Sequence, residues 1–132
     1  MDFRVLADMA VSAREMSYSP YSGFKVGAAL YAKSGKIYTG CNIENAAYTP
    51  TICAERTAFA KAVSEGEHEF LAIAVAGWRS EPGFAYPCGV CRQVMMEFCD
   101  PMSFIIIVTN GSQYRELTLW ELLPQGFGPL SL

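Results

Sequence analysis

Leu6, Met9, Ala10 and Ala13 recur at the i, i+3, i+4, i+7 spacing, so one apolar stripe runs along a helix over about Asp2–Met16. Ser19-Pro20-Tyr21-Ser22-Gly23 ends it and opens a loop. Val26–Tyr31 and Ile37–Cys41 predict two short strands around Lys33-Ser34-Gly35-Lys36, a hairpin connection with Gly35 at its left-handed position. Asn42–Thr51 has no regular period and predicts an irregular loop. From Cys53 to about Ser64 the residues suit a helix, and Ala54, Ala58 and Ala62 form a row of small side chains that lets it lie close on a sheet. Phe70–Ala76 is a continuous apolar run, as expected of a strand covered on both faces.

After a Pro- and Gly-containing loop over Ser80–Pro87, Cys91, Val94, Met95 and Phe98 return to the helical period, so a third helix is expected from about Cys88. Phe104–Val108 is the most apolar strand candidate and is expected near the sheet centre. Asn110-Gly111 marks a turn, Tyr114–Leu117 an edge strand, and Leu119–Leu123 a short helix stopped by Pro124. Helices alternating with strands predict an α/β fold: a three-layer α/β/α sandwich around a mixed sheet. The 132 residues suffice for one domain spanning 1–132.

Composition narrows the chemistry. Thirteen acidic side chains against ten basic ones give a net charge of −3, with no cluster of Lys and Arg to neutralise a row of phosphates. A small-molecule substrate is expected rather than a nucleic acid. The longest apolar runs fall well short of the roughly 20 residues a bilayer requires. No leader is evident at Met1-Asp2-Phe3-Arg4, so a soluble, cytoplasmic protein with no membrane partner is expected. Five cysteines in such a chain read as metal ligands rather than a disulfide framework.

The candidate chemistry lies in Cys53-Ala54-Glu55-Arg56 and Pro87-Cys88-Gly89-Val90-Cys91. Catalytic zinc keeps three protein ligands and one open position, whereas structural zinc closes with four. Cys53, Cys88 and Cys91 supply three thiolates for one Zn²⁺, and Glu55 beside them is a candidate proton carrier. That combination points to hydrolytic deamination of a small pyrimidine. Cys53 and Cys88 each fall where a helix begins, where free N–H groups favour thiolate. Arg56, three residues after Cys53 and on its helical face, is placed to draw charge from the sulfurs, as outer-shell donors do at metal sites. Buried core cysteines and a solvated Glu55 are the plain alternatives, but the joint spacing argues against them. Cys41 and Cys99 are bystanders, and the lone His68 is expected in a solvated loop.

Tyr18–Leu30, Gly40–Tyr48, Cys53–Ala58, Pro87–Val94 and Glu121–Pro124 together resemble the small, homotetrameric cytidine deaminases, in matching order over about Ala13–Gly128. The resemblance implies a five-stranded sheet with helices on both faces, zinc on the three cysteines, and deamination of cytidine and deoxycytidine with release of ammonia in pyrimidine salvage. It also implies that Asn42 and Glu44 bind the ribose 3′-hydroxyl and Phe24 packs on the nucleoside, with Ala54 in the same site. Tyr48 and Phe127 would reach a neighbouring subunit's site in a tetramer. Large apolar groups in loops, as at Phe24, Tyr48 and Phe127, also suit such an assembly. Tyr86, Val90 and Thr49–Ile52 depart from the family pattern, which bears on specificity rather than on catalysis. A deaminase of a cytosine-nucleoside analogue, such as a blasticidin-type antibiotic, is the closest alternative. A structural zinc module is a more distant one, and would need Cys41 or Cys99 as fourth ligand.

Overall fold

A computed structural model describes all residues, 1–132. The first stripe folds as α1 (Phe3–Arg14), capped by the Asp2 carboxylate accepting from the Arg4 N–H. The strands are β1 (Lys25–Ala32), β2 (Ile37–Cys41), β3 (Phe70–Trp78), β4 (Ile105–Thr109) and β5 (Tyr114–Thr118). The remaining helices are α2 (Ala54–Ser64), α3 (Gly89–Phe98) and the single turn α4 (Leu119–Leu122), followed by a 3₁₀ turn at Pro129–Ser131. Gly35 takes φ +98° in the β1–β2 hairpin, as its position requires. No helix is long and apolar enough to cross a membrane.

The sheet runs β2-β1-β3-β4-β5, with β3 and β4 parallel and every other pair antiparallel. The centre belongs to β3, and β4 lies directly beside it, near the centre as expected. The α3 crossover brings β4 in parallel beside β3, and the next turn folds β5 back over its outer side, so apolarity alone did not rank the two. Phe104 lies just outside β4 yet is buried, packed against Phe59 in an aromatic group with Phe70 and Phe98.

Alternation along the strands divides the core in two. Ala28, Leu30, Ile73, Val75, Ile106 and Val108 face α2 and α3. Ala29, Ala72, Ala74, Ala76 and Ile107 face Leu6, Ala7 and Ala10 of α1. The three layers are therefore present, and both helix contacts are very close. A Cβ on Gly27 would lie 2.1 Å from the Ala10 carbonyl oxygen, and one on Gly40 would lie 2.5 Å from that of Ala54. Neither backbone could yield without moving a helix. The second contact seats the start of α2 directly against β2, which places Cys53 at the end of the sheet.

Candidate active site

Two helices begin at cysteines. Cys53 is the N-cap of α2 and Cys88 the N-cap of α3, both in extended conformation, with the Cys88 sulfur accepting from the Cys91 N–H at 3.5 Å. One turn into α3, Cys91 points back toward the same spot. The Cys53 and Cys88 sulfurs are 3.7 Å apart, and all three sulfurs lie within 4.8 Å of one another. A tetrahedral ion with Zn–S bonds of about 2.3 Å spaces its sulfurs about 3.8 Å apart. The cluster therefore fits zinc and leaves the fourth vertex to a non-protein ligand. Cys41 takes no part, its thiol donating to the Met16 carbonyl at 3.3 Å, and Cys99 is buried beyond the far end of α3. That removes the fourth ligand a purely structural site needs.

The thiols are already biased toward metal. The Cys53 thiol is held down at about 5, chiefly by a hydrogen bond from Cys91, with burial opposing and Arg56 assisting. The Cys91 thiol is pushed up by that same hydrogen bond and by burial. The hydrogen bond between the two sulfurs favours thiolate at Cys53 and thiol at Cys91, and a bound metal would displace the thiol protons that remain. Arg56 donates from Nη2 to the Cys53 sulfur at 3.6 Å, while its buried Nε has no hydrogen-bond partner. A guanidinium left partly unsatisfied beside sulfurs is balanced by thiolate charge.

Glu55 is 4% exposed, and burial pushes its carboxyl up to about 7, against a pull from its own backbone N–H. A carboxyl poised there can both take and give a proton near neutrality. It opens on a cavity of about 200 Å³ lined also by Phe24, Asn42, Cys53, Ala54 and Cys88. Wider surface hollows of about 460 Å³ along α1 and about 420 Å³ beneath the C-terminal segment hold no metal-binding set. Convergent reactive groups, rather than size, mark the site.

Asn42 is nearly buried. Its Oδ1 accepts from the Val26 N–H at 3.0 Å and from the Ser17 hydroxyl, and Nδ2 donates to the Phe24 carbonyl at 2.8 Å. With the oxygen doubly engaged, one amide N–H remains to be offered. Glu44 accepts from the backbone N–H groups of Tyr21 and Ser22 at 2.9 and 3.1 Å and from the Ser22 hydroxyl. The Ser22 hydroxyl does most to hold its carboxyl below the usual range. Glu44 and Tyr48 line a neighbouring hollow of about 420 Å³ that shares Thr51 with the first. Phe127 lies apart from both, 60% exposed, its carbonyl accepting from Gln93 at 2.8 Å. His68 is exposed, as expected.

Sequence reading passed over Ser17, Ser22 and Arg92. Arg92 donates to the Pro87 carbonyl at 2.7 Å and to the Leu122 carbonyl at 2.6 Å, fixing the peptide before Cys88. All three sit inside or beside the motifs, but only the fold reveals their partners.

The family model for the cytidine and deoxycytidylate deaminase zinc-binding region matches residues 3–107. A cytidine deaminase of Sporosarcina psychrophila is 49% identical over 127 residues, covering 96% of this chain and 92% of that protein. One from Halalkalibacterium halodurans is 47% identical, over 96% of this chain and 95% of its own length. Among solved structures, cytidine deaminase from Burkholderia pseudomallei superposes with a TM-score of 0.87 at 45% identity, covering 96% of this chain and all of that one.

Proposed function

The chain belongs to the cytidine and deoxycytidylate deaminase family, and from that premise we propose that it hydrolyses cytidine and deoxycytidine to uridine and deoxyuridine with release of ammonia. The observation that carries the proposal is a buried Glu55 carboxyl held near neutral pKa beside a three-thiol cluster, both facing one small cavity. Cys53, Cys88 and Cys91 would hold the zinc ion. When bound, it acts as a Lewis acid that makes water nucleophilic near pH 7.

Glu55 takes a proton from the attacking water and delivers one to the ring nitrogen beside C4. It then takes the remaining proton from the hydroxyl now on C4 and passes it to the amino group, so that the carbonyl forms as ammonia departs. Its burial keeps bulk water from competing for that proton. Arg56 draws charge from the Cys53 sulfur, tempering three thiolates that would otherwise weaken the ion as an acid. Phe24 covers the base, while the free Asn42 N–H and the ionised Glu44 meet a sugar hydroxyl that can both accept and donate.

The proposal extends to assembly and setting. Tyr48 is held at φ +62° with 76% of its surface exposed, in a loop tied by Asn45 and Thr51. A bulky side chain kept in that unfavourable conformation and turned to solvent suits contact with a second copy. Phe127 is similarly open, and a homotetramer with shared sites accounts for both. Three thiolates committed to zinc, and no disulfide among five cysteines, suit a reducing cytoplasm and a role in pyrimidine salvage.

Ultraviolet absorbance of the zinc-loaded protein with cytidine, deoxycytidine, cytosine and adenosine in parallel tests the reading. Turnover of both cytosine nucleosides with stoichiometric ammonia is expected. Inertness toward both nucleosides would overturn it.

A further inference from the structure

The segment that carries Cys88 into the site contains no backbone–backbone hydrogen bond over residues 80–87. Side chains hold it instead. At its start, Arg14 of α1 donates to the Trp78 carbonyl at 2.8 Å and the Arg79 carbonyl at 3.4 Å. At its end, Arg92 of α3 grips the Pro87 carbonyl. Between them stands Arg115, on the edge strand β5. Its guanidinium lies 3.7 Å from the Phe84 ring centroid and donates to the Tyr86 hydroxyl at 3.0 Å.

Phe84 and Tyr86 are two apart in a stretch outside any helix or strand, and one planar guanidinium takes both: the ring by its face, the phenol by a hydrogen bond. Ala85, between them, turns the other way and packs at the point where β3 carries Gly77 instead of a side chain, next to Phe24. Ala85 and Tyr86 both line the cavity that Glu55 faces.

We infer that Arg115 is a positioning residue for substrate binding: by clamping Phe84 and Tyr86 it fixes the cavity wall formed by Ala85 and Tyr86. This rests on the deaminase reading. Arg115 does not line the cavity, and Arg92 separately fixes the peptide before Cys88, so the clamp governs how tightly the nucleoside is held rather than the chemical step. A wall without backbone hydrogen bonds, released at its middle, samples more conformations, and binding must then order it at a cost in affinity.

The test compares Arg115→Ala, Arg115→Lys, Tyr86→Phe and the Arg115→Ala/Tyr86→Phe double variant, all zinc-loaded. Loss of a charge-assisted hydrogen bond corresponds to roughly a tenfold effect. Arg115→Ala and Tyr86→Phe are each expected to raise KM for cytidine about tenfold while kcat stays within about threefold. The double variant should be no worse than Arg115→Ala, and Arg115→Lys, which keeps a cationic donor, should recover part of the loss. Unchanged KM in either single variant, additive effects in the pair, or a fall in kcat with loss of zinc overturns the inference. Should Arg115→Ala not fold, Tyr86→Phe, which removes a single oxygen atom, decides alone. A readout independent of nucleoside is the rate of chymotryptic cleavage after Phe84, located by mass spectrometry. The clamp predicts at least about a tenfold rise in both single variants, and an unchanged rate refutes it. If the parent protein does not deaminate cytidine, the functional reading fails and the cleavage rate still decides the clamp.

Discussion

At the scale of single residues, Glu55 is the side chain whose environment is least like water. Replacing it by Gln keeps the shape and removes the proton traffic. Glu55→Gln is expected to retain zinc and fold while losing cytidine turnover by several orders of magnitude, as measured by absorbance beside metal analysis. The same variant has a pH signature. In the fold the carboxyl is raised to about 7 from an ordinary 4.5, so between those values the native chain holds a proton that the unfolded chain has lost. Stability contributed by this position therefore falls as pH rises through that window. Below about pH 4.5 there is no penalty, and above about 7 it is complete, on the order of 3 kcal/mol. Metal-free Glu55→Gln should gain on its metal-free parent across the window and hold a constant advantage above it. Urea midpoints taken from pH 4 to 8 check this, the difference reporting Glu55 together with its charge coupling to Cys53 and Cys91. Arg56→Gln should keep the metal but turn over more slowly, and an unchanged kcat would reduce Arg56 to a structural ion.

At the scale of elements, the site depends on two helix starts meeting at the end of a sheet. Both ligand-bearing N-caps present sulfur where free N–H groups and the helix dipole favour negative charge. Alanine at Cys53, Cys88 or Cys91 should abolish stoichiometric zinc by atomic absorption and lower the melting temperature, since the ion joins α2 to α3. Of these, α2 reaches its position over Gly40 of β2, and α1 on the opposite face lies as close over Gly27 of β1. Gly27→Ala and Gly40→Ala put a methyl group into backbone atoms and should each cost about 2–3 kcal/mol or more by urea unfolding. Gly83→Ala, with nothing within 4 Å of its added carbon, is the matched control and should change little.

At the scale of the whole molecule, the exposed apolar groups set the expectation. Tyr48, Phe127, Leu130 and Leu132 are 60% exposed or more. A lone chain would leave them in water, and a closed arrangement of four copies is expected to cover them. Light scattering is expected to give about 58 kDa, four times the 14.5 kDa chain. An active species at 14.5 kDa would rule out sites completed by a neighbour.

What the sequence determined by itself was whatever depends on near neighbours. Helix period, cap positions and the spacing of Cys53, Glu55, Cys88 and Cys91 are local quantities, so the element order and the metal-binding set could be read along the chain. The reach of Arg56 to Cys53 followed too, because three residues on a helix share a face. Tertiary structure decided what depends on distant partners. Apolar content could not rank β3 against β4, since both are covered and only the crossover and the β5 hairpin choose the centre. The near-neutral carboxyl of Glu55 comes from burial, beside a cavity whose other walls include Val26 of β1, Val75 of β3, Ala85 and Tyr86, none of which adjoins it in sequence. Arg14, Arg92 and Arg115 read as ordinary charges until the fold sets them against carbonyls and rings as many as 65 positions away. Such contacts are made by chain paths, and a linear pattern carries no record of which segments those paths bring together.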